Sequence, residues 1–129
     1  MSDVVRPDGW PQPRGYSDGI LATGRLLFVA GQIGWNERGE FVSDDFGEQT
    51  AQALRNVVAI VAAAGGRPEQ IVRLTWYVTD KRAYRNALAQ IGAAYRTIVG
   101  AHYPAMTLVQ VAALLEDRAL VEIEATAVL

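Results

Sequence analysis

Cysteine is absent from the 129 residues. That excludes a disulfide framework, a thiolate metal site and a cysteine nucleophile, and it fits the cytoplasm, which is the expected compartment. Histidine occurs once, at His102, with no second ligand at metal spacing, so neither a metal nor a cofactor is expected. No apolar run approaches the roughly 18 to 20 residues that a membrane-spanning helix needs. The opening stretch MSDVVRPDGW has neither a basic nor an apolar segment and predicts no signal peptide. An excess of charge of one sign is missing as well. Twelve basic and fourteen acidic residues leave a formal charge of -2, scattered singly, where nucleic-acid binding usually leaves a basic footprint. The one basic cluster, Lys81-Arg82 with Arg85, opens an expected helix and reads as a solvated face. Triad patterns and nucleotide fingerprints are lacking too, and Gly31-Gln32-Ile33-Gly34 is too short and wrongly spaced for a phosphate loop.

What is present is apolar. Half of the residues are hydrophobic, enough for a substantial core, and the length matches one ordinary domain spanning residues 1–129. Charged residues make up only 20%, which hints at an interface. Residues 1–15 carry Pro7, Pro11 and Pro13 with Gly9 and Gly15, and they predict an extended arm. Ser17 to Ala22 and Leu26 to Ala30, separated by Thr23-Gly24-Arg25, read as a hairpin. A turn is expected at Asn36 to Gly39. Asp45 to Glu48 has the form of a capping box, and Phe46, Thr50, Ala53, Leu54, Val57, Ile60, Val61 and Ala64 then recur at three and four. That spacing predicts a helix stopped by Gly65-Gly66.

Ile71 to Thr79 is β-branched and aromatic, a strand with Val72, Leu74, Trp76 and Val78 on one face. Asp80 caps a second expected helix, with Tyr84, Leu88, Ile91, Tyr95 and Ile98 in step and Gly100 at its end. Thr107 to Ala113 and Leu120 to Val128 read as a closing hairpin around Glu116-Asp117-Arg118. In the last strand Val121, Ile123, Ala125 and Ala127 alternate with Glu122, Glu124 and Thr126. The apolar set belongs under the helices, which puts both carboxylates on the other face. The fold class is therefore α+β, a sheet with two helices on one face and the other face solvated or covered by another chain. Periodicity alone reads the carboxylates as the polar side of a half-exposed sheet.

Several separated segments resemble the RidA/YjgF family of enamine/imine deaminases, formerly called endoribonuclease L-PSP. Gly15-Tyr16-Ser17 is similar to that family's opening Gly-Pro-Tyr-Ser, and Leu27 to Ile33 to its second strand and Ser-Gly-Gln-Ile turn. Glu48-Gln49-Thr50, Asn56-Val57 and Ala63-Ala64-Gly65 match its first helix, and Val78-Thr79-Asp80 its strand-to-helix junction. Tyr103-Pro104-Ala105 and VEIEATAV resemble its closing motif. The agreement runs in order from about Arg14 to Val128. It implies a chorismate-mutase-like mixed sheet, a homotrimer, and small-molecule pockets at subunit interfaces, with no cofactor, nucleic acid or membrane as partner.

The resemblance also implies a reaction: hydrolysis of 2-imino or enamine acids, with a glutamate activating water, an arginine holding the substrate carboxylate and a tyrosine lining the site. By position Glu122 takes the glutamate's place and Tyr16 the tyrosine's. The remaining pocket positions are Ala30 and Gly31 in the turn, Leu88 in the second helix, and Met106 and Leu108 after Pro-Ala. Here the chain departs from the family pattern. Met106 stands where the arginine is expected, Leu108 where cysteine is common, Ala30 where serine is, and Leu88 where asparagine is. Methionine has no charge and no donor for a carboxylate. A bidentate arginine contact is worth roughly 1.5 to 3 kcal/mol, so the expected substrate is less acidic and more apolar, unless Arg14 or Arg118 takes over. Three further readings stand beside this one: a catabolic deaminase similar to 2-aminomuconate deaminase, a non-catalytic trimer that binds a small apolar ligand or a protein, and a ribonuclease, which the acidic balance disfavours. Glu122 has a plainer alternative in pairing with Arg73, Glu124 reads as structural, and Trp76 and Tyr84 read as core.

Overall fold

A computed structural model describes residues 2–129. Strands β1 (Ser2–Val5) and β2 (Gly19–Ala22) form an antiparallel ribbon. The main sheet contains β3 (Leu26–Gln32), β4 (Ile71–Val78), β5 (Ala105–Gln110) and β6 (Val121–Val128) in the order β3-β6-β4-β5. Helices α1 (Phe46–Ala63), α2 (Lys81–Asn86) and α3 (Leu88–Ile98) cover one face of it.

The first helix forms where its sequence directs. The Asp45 carboxylate accepts the Glu48 N–H at 2.9 Å, satisfying one of the orphan donors of the first turn. Phe46, Ala53, Leu54, Val57 and Val61 are buried against the sheet, and Gly65 follows in the left-handed region at φ 86°. Burial of one such Leu or Val side chain contributes about 1.5–3 kcal/mol. The turn after β3 also forms as read, with Asn36 Oδ1 accepting the Arg38 and Glu40 N–H groups. In β6, Val121, Ile123, Ala125 and Ala127 are buried and Glu122, Glu124 and Thr126 lie on the opposite face, as the alternation predicts.

Neither expected hairpin exists. β2 pairs with β1, whereas β3 pairs with β6, where Arg25 and Leu129 exchange N–H···O bonds of 2.8 Å. β5 runs parallel to β4 and does not touch β6 as a neighbour. Turn residues reverse the chain without choosing its partner; β6 is apolar enough on one face to take the interior position between β3 and β4. β5 also ends at Gln110, short of Ala113.

Two further corrections are local. The second helix is broken at Ala87, whose N–H reaches both Ala83 O and Tyr84 O at 3.1 Å, so a tightened turn separates α2 from α3. The apolar step from Tyr84 to Leu88 survives that turn, which is why periodicity does not report it. In β4 the register shifts between Ile71 and Arg73, and Ile71 is fully buried while Val72 is not. One extra residue moves Ile71 onto the core face and Val72 off it.

Candidate functional site

The open face of the sheet carries a row of polar side chains. Arg73, Thr75 and Tyr77 of β4 lie opposite Thr126, Glu124 and Glu122 of β6. The Tyr77 hydroxyl donates to Glu124 Oε1 at 2.7 Å. That bond, with burial and the charges of Glu124 and Glu122, raises the Tyr77 pKa, and the Arg73 charge only partly opposes it. Glu124 is thus committed to Tyr77. Glu122 has no side-chain hydrogen bond or ion pair among the described residues, and Arg73 Nη2 donates instead to Thr107 Oγ1, at 3.5 Å. The Glu122–Arg73 pair considered from sequence does not form within the chain.

A bulge sets the surroundings of Glu122. The β3 register shifts between Val29 and Gln32, and Gly31 comes to lie under the Glu122 side chain. A Cβ on Gly31 would lie 2.6 Å from Glu122 Cδ and 2.8 Å from Cγ, and would overlap the carboxylate itself. Only glycine lets this backbone approach the acid so closely. The segment beyond is tied down from α1. Asn56 Nδ2 donates to Ile33 O and Trp35 O at 3.2 and 2.8 Å. Gln49, fully buried, donates to Ser43 O and Arg118 O and accepts from the Leu120 N–H, and its side chain packs against Gly34. Gln49 and Asn56 therefore brace the segment that follows β3, directly after Ala30 and Gly31.

A second region lies on the helix side. A cavity of about 330 Å³ is lined by Trp76 of β4, Tyr84, Leu88, Ile91, Gly92, Tyr95 and Arg96 of the helices, Met106 of β5, Tyr103, and Arg14 and Gly15 of the arm. Its walls are aromatic: Trp76 meets Tyr84 edge-on at 6.1 Å, and Tyr95 stacks on Tyr103 at 5.5 Å. Burial pushes the Tyr84 hydroxyl pKa up, and burial with the Tyr103 charge pushes that of Tyr95 up further, so both stay protonated to higher pH than a free phenol. The arm closes the cavity because Gly15 turns at φ 77° and Ser17 then bridges to Ala105, with its N–H on Pro104 O at 3.0 Å and its hydroxyl on Tyr103 O.

The seven residues singled out from sequence thus fall into groups. Ala30, Gly31 and Glu122 meet at the bulge; Leu88 and Met106 line the cavity, with Tyr16, 39% exposed, next to its Gly15 edge. Leu108, beside Trp76 in the sheet, packs partly buried on the core and lines none of the described cavities. Of the two substitute cations, Arg118 is engaged by Asp44 at 2.9 Å and stacks over Phe41, whereas Arg14 lines the cavity. Sequence reasoning missed Tyr77 and Arg96. Tyr77 is signalled by its alternation with Arg73 and Thr75, and Arg96 by its four-residue steps from Leu88 and Gly92 along one helix face.

No helix is long and apolar enough to cross a membrane, and no cluster of three or more metal-ligating side chains occurs among the described residues. Residues 11–129 match the family described as Endoribonuclease L-PSP. A RutC family protein of Pyrococcus horikoshii is 38% identical, over 98% of each chain. The 2-iminobutanoate/2-iminopropanoate deaminase of Escherichia coli is 36% identical, over 99% of this chain and 98% of that one. Among solved structures, the Rid family protein YyfB of Yersinia pestis superposes with a TM-score of 0.88 at 35% identity, covering 99% and 98% of the two chains. The YjgF gene product of Escherichia coli gives 0.68 at 38% identity, covering 88% and 87%.

Proposed function

The chain belongs to the Endoribonuclease L-PSP family, also known as RidA/YjgF, and from that premise we propose that it is a cofactor-independent imine or enamine deaminase. The observation that carries the proposal is the placement of Glu122: a carboxylate with no partner among the described residues, seated over the bare backbone of Gly31, beside a second carboxylate that Tyr77 already occupies. Such a group is free to take a proton from water. In the proposed reaction the water oxygen bonds to the imine carbon as Glu122 accepts the water proton, and the C=N electron pair moves to nitrogen. Glu122 then returns the proton to that nitrogen, giving a carbinolamine; it next takes the carbinolamine hydroxyl proton and passes it to the amine nitrogen as the C–N bond breaks, so that ammonia leaves a carbonyl compound. Nothing is oxidised or reduced.

A homotrimer is part of the same reading. Within one chain the acid lies on the open face and the cavity on the helix side, so a complete site needs a neighbour to bring a cavity to Glu122. Phe28 and Leu26 of β3 are 73% and 61% exposed, apolar surface that a second copy would cover. Three 14.0 kDa chains make 42 kDa, which light scattering after size exclusion measures directly. With Met106 in the arginine position, small 2-imino acids are expected to be poor substrates. The family's ribonuclease name finds no support in a chain of net charge -2.

Glu122→Gln tests the role. It keeps the shape and removes the base, and turnover should fall by about 10²- to 10⁴-fold with the trimer intact. Full activity in this variant would make Glu122 structural. Loss of ligand affinity with no imine processed by the wild type would favour the non-catalytic binder.

A further inference from the structure

Charge and burial run in opposite directions across the cavity under the helices. Its deep end is apolar: Ile91 and Tyr95 of α3 are buried, and Met106 on the sheet side packs on the core with neither a charge nor a donor. Its exposed end carries Arg14 of the arm and Arg96 of α3, which belong to no ion pair among the described residues. The helix aims Arg96 there. Leu88, Gly92 and Arg96 follow in four-residue steps on one face, and helical side chains lean toward the N-terminus. A Cβ on Gly92 would lie 3.4 Å from Arg96 Nη1, so the guanidinium lies back over Gly92, itself part of the cavity wall. Arg14 reaches the cavity because Gly15 turns at φ 77° and Ser17 is held by Tyr103 and Pro104. Among the described residues no acidic side chain lines the cavity, so nothing within it neutralises the two cations.

We infer that the cavity takes an organic anion body first: a bulky apolar group fills the deep end, and the carboxylate stays at the exposed end with Arg14 and Arg96. Both parts of the ligand are then selected. The volume, about 330 Å³, is at the small end of ligand pockets, and an acid the size of acetate would leave most of the apolar wall uncovered. The inference rests on the deaminase reading for one consequence only. In a 2-imino acid held this way the C=N carbon, next to the carboxylate, lies at the exposed end, where a second copy can present Glu122. The substrate class is then the imines of amino acids with large apolar side chains. Arg14 and Arg96 are the residues that hold their carboxylate.

Calorimetric titration with phenylacetate, its neutral amide phenylacetamide, and acetate tests both ends of the cavity without turnover. The wild-type protein should bind phenylacetate roughly 10-fold more tightly than the amide, the worth of a charge-assisted contact. It should bind phenylacetate at least roughly 10-fold more tightly than acetate, the worth of burying the ring. Arg14→Gln and Arg96→Gln should each weaken phenylacetate by roughly 3- to 10-fold and leave phenylacetamide unchanged, and the double variant should bind acid and amide alike. Both side chains are exposed, so the variants should keep the fold, and the wild-type ratios stand as a second reading that needs no variant. No binding of phenylacetate, equal affinity for acid and amide in the wild type, or a ratio that survives loss of both arginines would overturn the inference. Acetate bound as tightly as phenylacetate would overturn it as well. Phenylacetate bound as expected by a protein that releases no ammonia from any imine would leave the inference standing and remove the deaminase reading instead.

Discussion

The open sheet face and the cavity under the helices divide the chemistry of this chain. At the bulge, two carboxylates and a phenol crowd together with glycine backbone beneath them and no cation bonded to Glu122. In the cavity there is no carboxylate at all: four aromatic rings, aliphatic side chains and two arginines. The first arrangement suits proton transfer and offers little surface for recognising a ligand. The second suits recognition and has no base. Helices cover one face of a sheet and leave the other bare, so alternation along β4 and β6 sorts residues into these two environments two by two. Trp76 and Tyr77, adjacent in sequence, are the clearest instance: one walls the cavity, the other bonds Glu124 on the far face.

Changes confined to one region should leave the other working. The largest effect is expected from Gly31→Ala. The new methyl group displaces the Glu122 side chain, and turnover should drop by about 10²-fold or more while ligand affinity in the cavity is retained. Parallel kinetics and calorimetry check this, and loss of both together would erase the division. Next in size is Gln49→Ala, which leaves three backbone partners unpaired in a fully buried position. Urea unfolding should show a loss of about 2–5 kcal/mol, since the removed side chain leaves both a void and orphaned polar groups.

The smallest effect is on the cavity side and is set by pH. Burial raises the Tyr84 and Tyr95 hydroxyls above the usual 10.0, so the folded protein favours their neutral forms. Their contribution to stability is complete below the unfolded-state value of 10.0 and is lost as pH rises through the higher folded-state values. Denaturation midpoints should therefore hold steady to about pH 10 and then fall. Tyr95→Phe should flatten that alkaline decline, although it also removes the hydroxyl's bond to His102 O. An unchanged decline would place the alkaline sensitivity outside the cavity.

Much of the fold was legible because local chemistry and tertiary demand agree. The Asp45 cap, the apolar stripe of α1 and the alternation of β6 are each determined by residues near one another in sequence, and each appears where read. Pairing was not legible. Glu116-Asp117-Arg118 does reverse the chain between β5 and β6, yet β3 and β5 find partners far away in sequence, because register depends on which faces the core accepts. The site was half legible. Ordered resemblance brought Glu122 and Gly31 forward, and the bulge explains why a glycine and an acid belong together there. Arg96 escaped notice because its four-residue steps from Leu88 and Gly92 place it on a helix face without showing that Arg14 of the arm lines the same cavity, a convergence that comes only with folding.

The central claim is that this chain hydrolyses imines, and the most direct test is ammonia release by the wild-type protein. Imines formed in situ from alanine, 2-aminobutyrate, phenylalanine and tyrosine by an amino-acid oxidase give a panel graded in size and polarity. The account predicts ammonia release faster than the spontaneous reaction, fastest with the two aromatic imines and slow with the two smallest. Rates equal to the spontaneous ones for every imine, from a protein shown to be trimeric and folded, would contradict it.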